Sequence, residues 1–219
     1  MTNSRTVNVV AALTTGVALF CLHLFLHASP PGVDRRVHEE LGRVMAGEAL
    51  KAMQPGARLI VISRDREPFH VPAAEAQLES FVKAVEKTGK KVSTLRALKI
   101  DPLRVVGVPP GDFFDLLRQG RDDDVIVSFL GPPVLRDEQL KKLGEKWPRV
   151  LAVCSGAMPS QVDLKKIFDQ KLLLAAVVNR PDASSRLAAG KGGPSFGQMF
   201  KLITPANVSE LPEVIVARE

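Results

Sequence analysis

The fold of this chain is decided by the stretch ARLIVISRD, residues 57–65. Its centre, Leu59 to Ile62, is a continuous apolar run with no alternation of polar residues. Such a run is typical of a strand buried on both faces, as in a parallel sheet covered by helices. The polar residues Ser63, Arg64 and Asp65 follow at once and mark the end of the strand. The stretch therefore predicts a central strand of a layered α/β domain.

The same pattern recurs along the rest of the chain. Further apolar runs predict strands at residues 92–100, 125–130, 149–154 and 172–178, and short edge strands at 200–204 and 213–216. Amphipathic helices separate them: one ends at Gly89, one opens at Pro109, one covers residues 137–146 and one is capped by Ser160. This alternation predicts right-handed βαβ units. We expect a three-layer, Rossmann-like α/β domain over residues 57–219, with a mainly parallel sheet of about five strands.

A hydrophobic segment precedes this domain. Residues 7–28 form a 22-residue run without a charged side chain, which is long enough to cross a bilayer core of ~30 Å as a helix. Leu26 occupies a position where signal-peptide cleavage after Ala28 would need a small residue, which favours an uncleaved anchor over a cleaved signal peptide. Residues 1–28 are therefore expected to form a single membrane pass, residues 29–56 a linker helix, and the domain is expected to be exported.

Composition bears on the possible partners. The 219 residues carry 30 basic and 24 acidic side chains, a formal net charge of +6. The lysines are spread over successive predicted helices and mixed with acidic residues, which is typical of solvated helix faces. We expect no nucleic-acid partner, although an anionic partner stays an alternative.

Candidate ligand-binding residues follow from the predicted sheet, because open α/β sheets bind ligands beyond the carboxyl ends of their strands. Guanidinium groups there can clamp an anion, and carboxylates can accept hydrogen bonds from hydroxyl groups. The candidates that follow the first, third, fourth and fifth strands are Arg64, Asp65, Gly131, Ser155, Asn179 and Arg180.

Catalytic and cofactor sites have weaker support in the sequence. Cys154 and Ser155 end a predicted strand, but a nucleophile needs a base, and only His70 follows the first strand as a candidate. No Gly-x-Gly-x-x-Gly pattern follows that strand, and the glycine-rich residues 190–197 lack the order of a phosphate-binding loop. The four histidines and two cysteines are too dispersed to suggest a metal site. We therefore predict no cofactor, no metal and no catalytic residue.

Three segments resemble one lobe of the type I periplasmic binding proteins and sugar repressors. Residues 77–92 resemble the first helix, the glycine and the second strand of that family, residues 122–128 its third strand after an Asp, and residues 149–153 its fourth strand. The resemblance spans about residues 57–182 and implies the strand order 2-1-3-4-5. Members of that family close two lobes around a ligand, whereas this chain is long enough for one lobe and a tail.

These observations favour a membrane-tethered, non-catalytic domain that binds a small polar or anionic ligand or a protein partner. One alternative is a hydrolase or transferase that uses Asp65, His70, Cys154 or Ser155. Another is a structural component of an envelope complex. A cleft at Arg64, Gly131 and Asn179 would favour ligand binding, and a flat apolar patch without a cleft would favour the structural role.

Overall fold

The strands and helices alternate along the domain as predicted. The computed structural model describes residues 34–65, 70–99, 107–156, 158–185 and 193–211, together with Thr15, Val17 and Phe20. The strands are β1 (Leu59–Arg64), β2 (Thr94–Leu98), β3 (Val125–Ser128), β4 (Arg149–Cys154), β5 (Ala175–Asn179) and β6 (Phe200–Ile203). The helices are α1 (Arg35–Ala52), α2 (Pro72–Glu86), α3 (Pro110–Gln119), α4 (Asp137–Lys142), α5 (Met158–Gln161), α6 (Leu164–Asp169) and α7 (Phe196–Met199), and Val208–Glu210 form a 3₁₀ turn.

The strands form one sheet in the order β2-β1-β3-β4-β5-β6. The first five strands are parallel, and β6 pairs antiparallel with β5. The order 2-1-3-4-5 implied by the resemblance is therefore present, and the predicted edge strand near residue 200 adds a sixth member. The strand predicted at residues 213–216 lies outside the described residues.

Alternate residues of the inner strands β1, β3, β4 and β5 enter two separate cores, one on each face of the sheet. In β1, Leu59 and Val61 pack with α1 and α2, whereas Ile60 and Ile62 pack on the opposite face with α3. The central strands β3, β4 and β5 divide their side chains in the same way. The domain is thus a three-layer helix–sheet–helix structure, which explains why its strands are continuous apolar runs.

Helix α6 begins one turn later than the sequence indicated. Asp163, and not Ser160, is its N-cap, and the Asp163 carboxylate accepts a hydrogen bond from the backbone N of Lys166. Ser160 instead belongs to α5. An Asp is as good an N-cap as a Ser, so the two candidates could not be separated by residue preference.

Helix α1 is part of the α/β layers and does not act as a linker outside them. Its face with Val37, Leu41 and Met45 is buried against α2 and the sheet. Gly42 makes the close approach of the two helices possible, because a Cβ there would lie only 2.2 Å from the backbone O of Gln77. The expected domain boundary at residue 57 thus differs from the structure, in which one compact unit spans Asp34–Glu219.

The remaining unit, Met1–Val33, contains the predicted membrane segment. Of residues 7–28, only Thr15, Val17 and Phe20 are among the described residues, and all three are helical. Within the described part of the chain, no helix combines the length and the apolar character needed to span a bilayer. Apart from these three residues, the predicted anchor lies outside the described residues.

A buried carboxylate stabilises the sheet at the amino-terminal ends of its strands, opposite the end where the strands finish. Asp124, just before β3, is fully buried and accepts hydrogen bonds from the backbone N atoms of Arg58 (3.0 Å) and Arg121 (2.8 Å) and from both guanidinium groups. Burial alone would raise the pKa of this carboxyl group. The hydrogen bonds from Arg58 and Arg121 outweigh burial and hold the pKa of Asp124 well below its ordinary value. Asp124 is therefore a structural carboxylate that joins the starts of β1 and β3.

Candidate ligand-binding site

A cavity of about 320 Å³ lies at the carboxyl ends of the parallel strands. The strand order reverses between β1 and β3. The chain passes from β1 to β2 on one side of β1 and then crosses to β3 on the other side. At such a switch point the connections leave in opposite directions and open a crevice between them. Ser63 and Arg64 from β1, and Phe129 and Leu130 from the end of β3, line the cavity. The fold therefore provides a crevice at the place where the sequence analysis expected one.

Four of the six candidate ligand-binding residues line this cavity. They are Arg64, Asp65, Ser155 and Asn179, which follow or end β1, β4 and β5. The side-chain Oδ1 of Asn179 accepts a hydrogen bond from the backbone N of Gly156 at 2.9 Å. That bond fixes the amide so that its NH₂ group remains as a donor. The cavity thus combines a guanidinium group, a carboxylate, a hydroxyl group and an oriented amide.

The other two candidates lie elsewhere. Gly131 is buried beneath Met158, and its φ of +97° suits a glycine. A Cβ at residue 131 would lie 2.5 Å from Met158 Sδ, so close packing accounts for the absence of a side chain there. Arg180 lines a different cavity, beyond the end of β5. Position after a strand therefore did not suffice to place a residue in the crevice.

Helices α1 and α2 supply cavity residues that the sequence analysis missed. His38 of α1 and Gln77 of α2 both line the cavity, and Gln77 Nε2 donates a hydrogen bond to His38 Nδ1 at 3.0 Å. Burial lowers the pKa of His38, and the charge of Asp34 opposes this shift only in part. The neutral imidazole is therefore favoured, in keeping with an Nδ1 that accepts. The sequence contains one signal for this part of the wall: Gln77 is a polar residue that lies one helical turn before Phe81, on the buried face of α2.

Aromatic rings complete the apolar part of the wall. Phe129 and Phe200 both line the cavity. Phe129 is held edge-to-face against the core residue Phe81, with 5.5 Å between ring centroids, and Phe200 packs edge-on to His38 at 6.1 Å. A pocket with mainly apolar walls and a few convergent polar groups is typical of small-molecule sites.

The nucleophile candidates do not assemble into a catalytic set among the described residues. Cys154 is fully buried in the core on the α3 face, and burial raises the pKa of its thiol far above the ordinary value. The reactive thiolate is therefore strongly disfavoured. His70 is exposed and pairs through Nδ1 with Glu75 at 3.0 Å. Ser155 lines the cavity, but His70 does not.

Comparison with known proteins gives a result at the level of fold alone. No protein-family model matches the sequence, and no curated protein matches it. Among solved structures, similar folds include a carbohydrate-transporter solute-binding protein from Agrobacterium radiobacter in complex with D-arabinose (16% identity, TM-score 0.51, covering 80% of this chain and 63% of that one). An arabinose-binding protein from Geobacillus stearothermophilus is also similar (14% identity, TM-score 0.52, covering 80% of this chain and 63% of that one). So is a periplasmic sugar-binding protein from Pseudomonas fluorescens (19% identity, TM-score 0.52, covering 84% of this chain and 61% of that one).

This chain spans less than two thirds of the length of those three proteins. They are periplasmic or solute-binding proteins for sugars, and what they share with this chain is a similar fold. The predicted resemblance to the type I periplasmic binding proteins is thereby confirmed as a resemblance of fold.

Proposed function

We propose that this chain is a non-catalytic ligand-binding domain that takes a small polar molecule in the switch-point cavity. The observation that carries the proposal is the convergence of Arg64, Asp65, Ser155 and Asn179 in one crevice of about 320 Å³. The fold is that of proteins that bind sugars, and a sugar is therefore the first ligand class to test. A cleft of this kind favours ligand binding over a purely structural role.

The lining residues suit a polyhydroxylated ligand. Arg64 and the Asn179 amide can donate hydrogen bonds to ring or hydroxyl oxygens, and Asp65 can accept them from hydroxyl groups. Phe129 and Phe200 offer apolar surface to the C–H faces of the ligand. The neutral His38, held by Gln77, adds a polar group without a charge. We expect the binding energy to come from these few polar contacts within an otherwise apolar wall.

The membrane-related predictions form part of this proposal. Residues 7–28 would act as an uncleaved anchor and hold the domain on the exported side of the membrane. Their length and lack of charge support an anchor. Retention of the full chain in membranes after an alkaline wash, with an intact N-terminus by mass spectrometry, is the expected result. Release of a shortened chain into the soluble fraction would show that the segment is cleaved.

The binding proposal is tested by thermal unfolding of the full chain with and without ligand. The protein is kept in a zwitterionic detergent without a sugar headgroup, because a glycoside detergent would compete with sugars. D-arabinose is the first probe, followed by other pentoses, hexoses and organic anions. A ligand at a hundredfold excess over its dissociation constant adds about 2.7 kcal/mol of stability, which raises the midpoint by roughly 5–10 °C.

Variants assign the shift to the cavity. In Arg64→Ala and Asn179→Ala, the ligand-induced shift should fall to near zero, measured against each variant's own ligand-free midpoint. The matched control is Arg96→Ala, since Arg96 is an exposed residue of β2 outside the described cavities. An unchanged shift in Arg64→Ala and Asn179→Ala would place the ligand elsewhere, and no shift with any probe would overturn the proposal.

A further inference from the structure

A groove of about 340 Å³ is lined by α1, α2 and the residue that follows α2, and it shares no lining residue with the first cavity. Its buried lining residues, Ala76 and Ser80 of α2, are small. The Ser80 hydroxyl donates a hydrogen bond to the backbone O of Glu39 at 2.6 Å, and Gly42 of α1 lies against the same stretch of α2. This α1/α2 groove is therefore a fixed feature of two tightly packed helices.

Most of the charged side chains in this groove are cationic. Four basic residues line it against two acidic ones, which leaves a formal excess of two positive charges. Arg35 contacts both carboxylates, at 3.8 Å from its Nε to Glu39 and 3.2 Å from its Nη2 to Glu79. The remaining cations are the exposed side chains of Arg43, Lys83 and Lys87. Residues 1–33, which precede α1, contain no Asp or Glu that could offset this excess.

The groove begins where the chain arrives from the predicted anchor. Arg35 is both a lining residue of the groove and the first residue of α1. Only residues 29–34 separate α1 from the hydrophobic run 7–28. Even fully extended, the chain from residue 28 to residue 35 spans at most about 25 Å. If residues 7–28 lie in a bilayer, α1 therefore begins within that distance of the end of the membrane segment.

We propose that the α1/α2 groove binds the phosphate headgroups of anionic lipids, so that the layer formed by α1 and α2 faces the membrane. The inference rests on the proposed anchor and is independent of the ligand in the first cavity. Each lysine or arginine near an anionic lipid surface contributes about a fivefold preference for that surface. Arg43 can donate two parallel hydrogen bonds to one phosphate, whereas Lys83 and Lys87 act as point charges beside it.

The experiment is lysine footprinting of the full chain reconstituted in lipid nanodiscs. One set of discs contains phosphatidylcholine alone, and the other contains phosphatidylglycerol as well. A water-soluble acetylating ester labels the exposed lysines, and mass spectrometry gives the rate at each one. Lys83 and Lys87 should react about fivefold or more slowly in the discs with phosphatidylglycerol. The internal references are Lys141 and Lys142 of α4, which packs on the opposite face of the sheet, and their rates should differ little between the discs.

A variant assigns the protection to the groove. Arg43→Gln removes one cation from the groove and keeps both reporter lysines, so it should reduce their protection by up to about fivefold. The matched control is Arg118→Gln, which makes the same change of charge at an exposed residue of α3, on the opposite face of the sheet, and should leave the protection unchanged. High salt should weaken the protection in the unaltered chain, because it screens exposed charges. Circular dichroism shows whether each variant is folded.

Several outcomes would overturn the proposal. If the chain elutes with both kinds of disc but Lys83 and Lys87 react equally in the two, the anchor is supported and the groove is not a lipid site. Equal protection of Lys141 and Lys142 would show that the whole domain, and not the groove, responds to the lipid. Equally strong protection by inorganic phosphate in phosphatidylcholine discs would identify a site for free phosphate instead. Failure of the chain to elute with either kind of disc would overturn the anchor, and this inference with it.

Discussion

Replacement of Gly42 by alanine tests the packing of α1 on α2. An ideal Cβ at residue 42 would lie 2.2 Å from the backbone O of Gln77 and 2.9 Å from the backbone N of Phe81. A carbon–oxygen contact is normally about 3.3 Å or longer. The two helices would therefore have to separate by roughly 1 Å. Both atoms belong to the backbone of α2, so no side-chain rotation can relieve the contact.

The expected loss of stability follows from two opposing effects. Overpacking of a tight contact costs about 1–3 kcal/mol, and a backbone contact as short as this one lies at the upper end of that range. The gain from replacing a helical glycine by alanine is about 0.5–1 kcal/mol. Gly42→Ala should therefore destabilise the domain by about 2 kcal/mol, which lowers the thermal midpoint by roughly 4–8 °C.

Gly47→Ala is the matched control on the same helix. Among the described residues, no atom outside the neighbouring backbone of α1 lies within 4 Å of the position its Cβ would take, so only the gain in helix propensity remains. Urea unfolding followed by circular dichroism should show stabilisation of about 0.5–1 kcal/mol for Gly47→Ala and destabilisation for Gly42→Ala. Equal stabilisation of the two variants would refute the close approach of α1 to α2. Since Gln77 lines the first cavity, Gly42→Ala should also weaken ligand binding there.

Further predictions concern the buried carboxylate and the buried thiol. Asp124→Ala should destabilise the domain by about 3 kcal/mol. This is the lower end of the range for breaking a buried ion pair, because the Arg58 side chain remains 46% exposed. The control is Asp122→Ala, at an exposed carboxylate, which should change stability by less than about 1 kcal/mol. Because the folded pKa of Asp124 is depressed, its stabilising contribution is complete above the unfolded pKa of about 3.9 and is lost as the pH falls towards the folded value. The difference in urea midpoint between the unaltered chain and Asp124→Ala should thus become smaller from pH 6 to pH 3 without vanishing, because pH 3 is still above the folded pKa. A constant difference would contradict this linkage. In a Cys21→Ser background, Cys154 should resist Ellman's reagent in the folded protein and react fully in urea, and rapid reaction without denaturant would show that the thiol is not buried.

The sequence by itself determined the order and type of most elements in the domain. The run Leu59–Ile62 could be recognised as a strand buried on both faces because four successive apolar side chains must alternate between two cores. Pro109 and Pro110 mark the start of α3 for a local reason, since Pro fixes its own backbone φ and the first turn of a helix does not need its missing N–H. The strand-end rule then located Arg64, Asp65, Ser155 and Asn179 near one another.

Only the tertiary structure decided the rest. The apolar face of α1 could have met lipid, another chain or the sheet, and the sequence pattern is the same in each case; long-range packing through Gly42 against α2 settled it. This packing brought His38 and Gln77 into the cavity wall. Asn179 and Arg180 are adjacent in sequence, yet Asn179 lines both the first cavity and the cavity beyond β5, and Arg180 lines only the latter. Local patterns specify which residues end a strand, whereas the neighbours that surround each side chain arise from contacts distant in sequence.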